Sequence, residues 1–373
     1  MTTHQFDSLI WRVHNYHPEI IKRVVYSIPD LIIQNPESTY ADLAMGGGQF
    51  LQGVLNRCIE LGQSREQILP RLYGFERSKV YLNYARWRNN LQGVNLAILD
   101  PERDLDSVSM KFDVVIGNPP YQAPKNNNGA KNAYPLWRRF ILKSQELLKE
   151  GGCISFLVPS QVAKFHEEGK PSPALQKTSS LCVTSVFTGM ERYFNVGCEI
   201  SLITFVKGQQ TDTILVNGSV WDWKSRPWVP TNTLPSHLNL LDKLFKSTTR
   251  IQFVPQHHQK EFIVDANHSI GCWGMNRGKD FGMMDLSLVN KRTVHMMVSE
   301  FKSREEQQAA LILFSTPVYR FLKKMLMFGS DVSFKTLSAL PVPEGWRNIN
   351  TAEEATSLFE LTEEELQLIN SRT

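Results

Sequence analysis

The stretch Asp113-Val114-Val115-Ile116-Gly117 constrains this chain most, because it runs directly into Asn118-Pro119-Pro120-Tyr121. The apolar run reads as a buried strand. Two successive prolines then exclude both a helix interior and a paired central strand. The chain must leave the strand end abruptly and in a rigid conformation. Such a turn can hold an amide, a bare carbonyl and an aromatic ring in one fixed cluster. Pro119 has no N–H, so its carbonyl is a free acceptor, and the Asn118 side-chain oxygen is a second. Two acceptors beside an aromatic face suit a planar group with an exocyclic amine, such as adenine. Asn-Pro also starts ordinary surface turns, so the neighbouring segments decide between the two readings.

Those segments alternate. Short apolar runs predict strands over 39–44, 72–76, 95–100, 112–117, 153–159, 183–188 and 199–207. Amphipathic stretches predict helices over 50–61, 80–90 and 136–149, the last stopped by Gly151-Gly152. Strands alternating with helices imply an α/β fold with a mostly parallel sheet covered on both faces. The last two strands are close enough to pair as a hairpin through Phe194-Asn195-Val196-Gly197, which makes the final strand antiparallel.

From residue 209 the texture changes. Helix-period segments thin out, and tryptophans gather at Trp221, Trp223, Trp228 and Trp273. Trp221, Trp223 and Trp228 suit a core better than base stacking. Residues 209–348 carry 17 Lys and Arg against 12 Asp and Glu, a surplus of 5. The last 25 residues hold six glutamates and one arginine, which predicts an acidic, helical, exposed tail. The expected organisation is therefore 1–208, 209–348 and 349–373, within the two-domain default for 373 residues.

Composition excludes several classes. The hydrophobic share of 42% and charged share of 21% are those of an ordinary globular protein. No apolar run approaches the ~20 residues of a membrane helix, and the N-terminus lacks a signal-peptide pattern. The five cysteines are widely spaced with no Cys-x-x-Cys pair, so neither a disulfide framework nor a zinc site is indicated. A reducing cytoplasm fits. A net charge of +4 permits a nucleic-acid partner without demanding one.

Four predicted strands end in polar residues. The first runs through Asp42-Leu43-Ala44-Met45-Gly46-Gly47-Gly48-Gln49-Phe50 into a helix. Glycines there let a ligand approach the backbone, and the helix start favours a negative group. The phosphate-loop ending Gly-Lys-Ser/Thr is absent, and the dinucleotide fingerprint fails because residue 51 is Leu. Glu76 ends the second strand, where a carboxylate can accept both hydroxyls of a ribose. Asp100 ends the third and could receive an adenine amino group. Asn118 ends the fourth. In open α/β sheets that edge binds ligands.

Taken together, these residues resemble the S-adenosylmethionine-dependent DNA adenine-N6 methyltransferases. Asp42, Ala44, Gly46, Gly48 and Phe50 look like the family's cofactor motif, and Asn118-Pro119-Pro120-Tyr121 looks like its catalytic motif. His17-Pro18-Glu19 sits where the family usually has Thr-Pro at a cofactor-contacting helix start. The motif order matches the gamma arrangement, and the resemblance covers about residues 14–208. Beyond them, Leu340-Pro341-Val342-Pro343 resembles family C-termini.

The resemblance implies a Rossmann-like methyltransferase sheet followed by a C-terminal target-recognition domain. It implies S-adenosyl-L-methionine as cofactor, with Asp42, Ala44, Gly46, Gly48, Phe50, Glu76, Asp100 and Asn118 as its binding residues. It implies double-stranded DNA as substrate and a possible cognate restriction endonuclease as partner, with no membrane or metal. Asn118 and Pro119 would hold the target amine, Pro120 would fix the turn and Tyr121 would stack on a flipped base.

Lys125, Lys131, Arg277 and Lys279 are candidate DNA contacts. His257-His258 lacks a third ligand at metal spacing, and Asp285 with Glu300 and Lys302 matches a nuclease site only loosely. Related motifs act on RNA bases or protein glutamine, and a catalytically silent DNA-binding, anti-restriction module is the non-enzyme alternative. The basic second domain favours DNA.

Overall fold

The computed structural model describes residues 16–100, 103–122, 135–160, 180–194, 198–209, 211–222, 235–256, 264–273, 281–289, 296–326 and 334–371. They form two compact units, Met1–Pro227 and Trp228–Thr373. Lys125, Lys131, Trp223, Trp228, His257, His258, Arg277 and Lys279 lie outside the described residues.

The first unit is built on a nine-stranded sheet. β1 (Tyr40–Asp42), β2 (Leu72–Glu76), β3 (Asn95–Ile98), β4 (Phe112–Gly117) and β5 (Leu148–Pro159) run parallel, in the order β3-β2-β1-β4-β5. β6 (Leu181–Phe187) and β7 (Ile200–Lys207) pair antiparallel as expected, and β7 inserts between β5 and β6. The hairpin β8 (Thr213–Val216) and β9 (Ser219–Asp222) continues the sheet beyond β6.

The helices follow the apolar spacing. α1 (Pro18–Tyr26) buries Ile20, Val24 and Val25. α2 (Asp30–Ile33) is a single turn. α3 (Gln49–Glu60) buries Phe50, Leu51, Val54, Leu55 and Cys58 of the side the sequence predicts, while Ile59, expected on that side, is exposed. α4 (Arg65–Ile68) is closed by a Ser64–Gln67 capping box. α5 (Lys79–Trp87) comes after β2, and α6 (Leu136–Leu147), which leads directly into β5, buries Phe140 and Ile141. Val114, Val115 and Ile116 of β4 are fully buried, as a central parallel strand requires.

Three expectations shift. Gly151-Gly152 does not stop a helix. α6 ends at Leu147, and both glycines lie inside β5. There the register against β4 jumps, from Phe112 opposite Leu148 to Val114 opposite Cys153. A bulge needs backbone freedom, and glycine supplies it. β3 stops at Ile98, so Asp100 stands in the following loop. The first unit also runs past residue 208. Ile214, Val216 and Trp221 are at most 2% exposed, while Leu215 and Val220 point outward. That period-two pattern makes 213–222 a part of the sheet, with Trp221 in the core as predicted.

The second unit holds a four-stranded sheet in the order β10-β13-β11-β12. Its strands are β10 (Val254–Gln256), β11 (Ser269–Trp273), β12 (Met284–Asp285) and β13 (Met296–Glu300), all antiparallel. Its helices are α7 (Pro235–Leu244), α8 (Arg304–Ser315), α9 (Pro317–Leu326), α10 (Phe334–Ala339), α11 (Ala352–Ser357) and α12 (Glu363–Asn370). The acidic end of the chain is helical, as expected, but it is not an appendage. Ala355 and Ile369 are fully buried, and Glu365 meets Lys243 of α7 at 2.7 Å. Its glutamates coat one side while its apolar residues dock on the other. Among the described residues, no helix is long and apolar enough to cross a membrane.

Candidate active site

Asp42, the last residue of β1, is 1% exposed. β2 and β4 flank it on both sides. The approach of β4 is possible because residue 117 is glycine. A Cβ at Gly117 would lie 2.8 Å from Asp42 Oδ1, and its φ of +148° disfavours other residues. Asp42 Oδ1 accepts the Ala44 N–H at 3.1 Å, while Oδ2 is buried with no hydrogen-bond partner. Burial pushes the carboxyl up to about 8, the Ala44 bond opposes this, and the charge of Glu76 adds to it.

The glycine turn after β1 is held by Glu76. Glu76 Oε2 accepts the Gly46 N–H at 3.0 Å and Oε1 accepts the Ser78 N–H at 2.9 Å. Gly48 caps α3 with a φ of +79°, and a Cβ there would lie 2.6 Å from Leu91 Cδ1. Only glycine fits both the turn and that contact. Ala44 and Gly46 are half-buried. Phe50 is 1% exposed and belongs to the hydrophobic core, with its ring centroid 4.5 Å from that of Tyr16. Beside the turn, Glu76, Ser78, Tyr81, Ile98 and Asp100 line a hollow of about 560 Å³. Glu76 and Asp100 therefore share one concavity, although Asp100 lies past its strand.

Asn118 comes directly after β4. Its Nδ2 donates to the Tyr16 hydroxyl at 3.2 Å. Its Oδ1 is buried and has no partner. Pro119 is buried, and Pro120 and Tyr121 are half-buried. Tyr121 packs against the core, as do Tyr16, Tyr193 and Phe194, and its hydroxyl also lacks a partner. Burial raises the Tyr121 phenol, with smaller contributions from Tyr16 and Cys198.

Neither Tyr16 nor Phe194 stands out as a site residue in the sequence. Tyr16 comes just before His17-Pro18, where only the helix start draws attention. Its backbone N–H reaches Gln49 Oε1 at 3.3 Å, and its ring stands 6.1 Å from Phe194, edge-on. His17 caps α1, its Nδ1 accepting the Glu19 N–H at 3.2 Å. It thus does in this chain what a threonine oxygen does in Thr-Pro.

The loose nuclease match is not assembled as a site. Asp285 accepts hydrogen bonds from Ser287, Gln307 and both terminal nitrogens of Arg304.

Residues 63–182 match the sequence model of a family described as Eco57I restriction-modification methylase. No curated protein matches the chain. Solved structures with a similar fold include a protein of Listeria monocytogenes described as a class I S-adenosylmethionine-dependent methyltransferase. It has 19% identity and a TM-score of 0.41 over 56% of this chain and 67% of its own. The M protein of the type I restriction enzyme EcoKI has 16% identity and a TM-score of 0.39 over 52% of this chain and 44% of its own. The type ISP restriction-modification enzyme LlaBIII, solved bound to DNA, has 12% identity and a TM-score of 0.40 over 55% of this chain and 20% of its own. The matched part spans less than half of the last two proteins.

Proposed function

We propose that this protein is an S-adenosylmethionine-dependent DNA methyltransferase that modifies the N6 amine of adenine in a flipped-out base. The observation that carries the reading is the buried, unpartnered Asn118 Oδ1 in a rigid Pro-Pro turn, at the same sheet edge as the Glu76-held glycine turn. The match of residues 63–182 to restriction-modification methylases supports it.

The residues present fit the cofactor. Asp42 offers a buried oxygen with no partner, which suits an ammonium group. Glu76 and Asp100 offer carboxylates inside a hollow of about 560 Å³, within the usual range of small-molecule sites. The glycine turn allows close backbone approach. When bound, S-adenosylmethionine supplies a methyl group on a positively charged sulfur, and the C–S electron pair stays with sulfur as the methyl leaves.

The chain's own task is to prepare the amine. An aromatic amino nitrogen is a poor nucleophile because its lone pair is delocalised into the ring. Asn118 Oδ1 and the Pro119 carbonyl would each accept one of its N–H bonds. Holding both hydrogens out of the ring plane favours a tetrahedral nitrogen with its lone pair free. The nitrogen gains the methyl group and one unit of charge, then releases a proton to water, so no strong base is needed. Fixing the two reactants in line supplies much of the rate. Tyr121 would stack on the base, a contact worth roughly 1–3 kcal/mol. The second unit, Trp228–Thr373, carries 16 Lys and Arg against 16 Asp and Glu, so any hold it has on a duplex would rest on local basic side chains at the phosphates and not on its net charge.

Expression in cells lacking adenine methylation, followed by modification-sensitive DNA sequencing, tests the reading. The expected result is N6-methyladenine in one short motif, lost with Asn118→Ala while cofactor binding persists. Removing one preorganised polar contact of this kind costs about 10²–10³-fold in turnover. Purified protein that binds long unmodified DNA and cofactor without transferring a labelled methyl group would instead be a silent binding module.

A further inference from the structure

The Asn118 amide can lie in two orientations, related by a half-turn about its last bond, that fill nearly the same space. They are chemically opposite. One presents a carbonyl oxygen to an incoming amine, and the other presents two N–H donors to a group that also donates. Packing alone cannot choose between them, and a hydroxyl beside the amide can accept from its nitrogen or donate to its oxygen, so the direction of that hydrogen bond sets the orientation. The structure contains that bond. Asn118 Nδ2 donates to the Tyr16 hydroxyl at 3.2 Å, and this leaves Oδ1 buried and without a partner.

Tyr16 is itself held in place. Its N–H is bound by Gln49 Oε1, and its ring lies 4.5 Å from that of Phe50. Gln49 and Phe50 come directly after the turn that Glu76 fixes through Gly46. Burial, and then the charges of Asp42 and Glu76, keep the Tyr16 phenol protonated, so it meets Asn118 as a neutral oxygen; the Asn118 bond itself works against this rise.

We infer that Tyr16 is a positioning residue, whose hydroxyl oxygen accepts from Asn118 Nδ2 and so aims Asn118 Oδ1 at the substrate amine. The inference rests on the proposed function and goes beyond it, because it assigns catalytic orientation to a residue outside both family-like motifs. It also links the glycine turn to the catalytic amide through one side chain, by way of Gln49 and Phe50.

The test compares Tyr16→Phe with Tyr16→Leu in the full-length protein. It uses long unmodified DNA and labelled S-adenosylmethionine, both saturating, under single-turnover conditions. Tyr16→Phe keeps the ring on Phe50 and loses only the hydroxyl. It is expected to slow methyl transfer by up to about tenfold, the value of one neutral hydrogen bond. Cofactor affinity and DNA affinity should stay at wild-type values, and the melting temperature should fall only slightly, because Asn118 Nδ2 loses its acceptor. Tyr16→Leu should slow transfer and lower the melting temperature further. A Tyr16→Phe protein as fast as wild type, with only Tyr16→Leu impaired, would reduce Tyr16 to packing and overturn the inference alone. A rate loss matched by an equal loss of cofactor affinity would overturn it too. A wild-type protein that transfers no methyl group to DNA removes the proposed function, and the inference with it.

Discussion

Asp42 in the first unit and Asp285 in the second are both buried carboxylates, 1% and 9% exposed, and the fold treats them in opposite ways. Asp285 is saturated. Arg304, Ser287 and Gln307 all donate to it, and Arg304 Nη2 approaches Oδ2 to 2.5 Å. Burial works to raise its carboxyl, yet these donors outweigh burial and hold it below the ordinary range. Asp42 has one backbone donor and one bare oxygen, and burial raises it to about 8. A folded chain leaves few buried polar atoms unpaired, because each costs about 1–3 kcal/mol. Near Asp42, Asn118 Oδ1 and Tyr121 Oη are also unpaired. The contrast separates a carboxylate saturated by donors within the fold from one that, under the proposed function, would meet a ligand.

That contrast can be broken first at Asp42. Its folded carboxyl titrates near 8, against about 4 when unfolded. Between those values the folded state holds more protons, so stability falls as pH rises from 4 towards 8. Asp42→Asn removes the charge and should remove that slope. The ligand-free variant should be more stable than wild type by on the order of 3–5 kcal/mol above pH 8 and equal to it near pH 4. Melting curves from pH 4 to 9 measure this, and parallel profiles would contradict the assignment. The same variant should bind S-adenosylmethionine more weakly.

Asp285→Ala should do the reverse. Arg304 is 44% exposed and can return to water, so the cost is about 2 kcal/mol rather than the larger value of a fully buried pair. Urea unfolding of the whole protein should show that loss with cofactor affinity unchanged. A variant of normal stability that fails to bind DNA would make Asp285 a ligand group instead.

The smallest effect sharpens the edge of the site. His17→Ala removes the α1 cap, which is worth about 1 kcal/mol, and should lower melting temperature slightly. Restoring the cap with Thr should recover it.

Much of this was legible along the chain. The strands over 72–76 and 112–117 were bounded correctly from apolar runs and turn residues alone. The hairpin of β6 and β7 followed from their spacing, although only pairing geometry put β7 between β5 and β6. Residues 213–222 were misplaced because the change in composition at 209 outweighed a short alternating pattern. Gly151-Gly152 looked like a helix stop because a helix end and a bulge both call for glycine. Phe50 sits in a cofactor-like motif yet points into the core, since its helical spacing with Val54 and Cys58 aims it there.

The linear chain settles local matters: which segments alternate, where two prolines force the backbone off a strand, and which polar residues end the strands. Local sterics and apolar periodicity suffice for that. Folding in three dimensions settles which polar atoms remain unpaired. Asp42 Oδ2 and Asn118 Oδ1 are bare only because of where neighbours 16, 44 and 117 fall. Tyr16 reaches Asn118 across 102 residues. Hydrogen-bond satisfaction is a property of the folded neighbourhood, and no spacing along the chain encodes it.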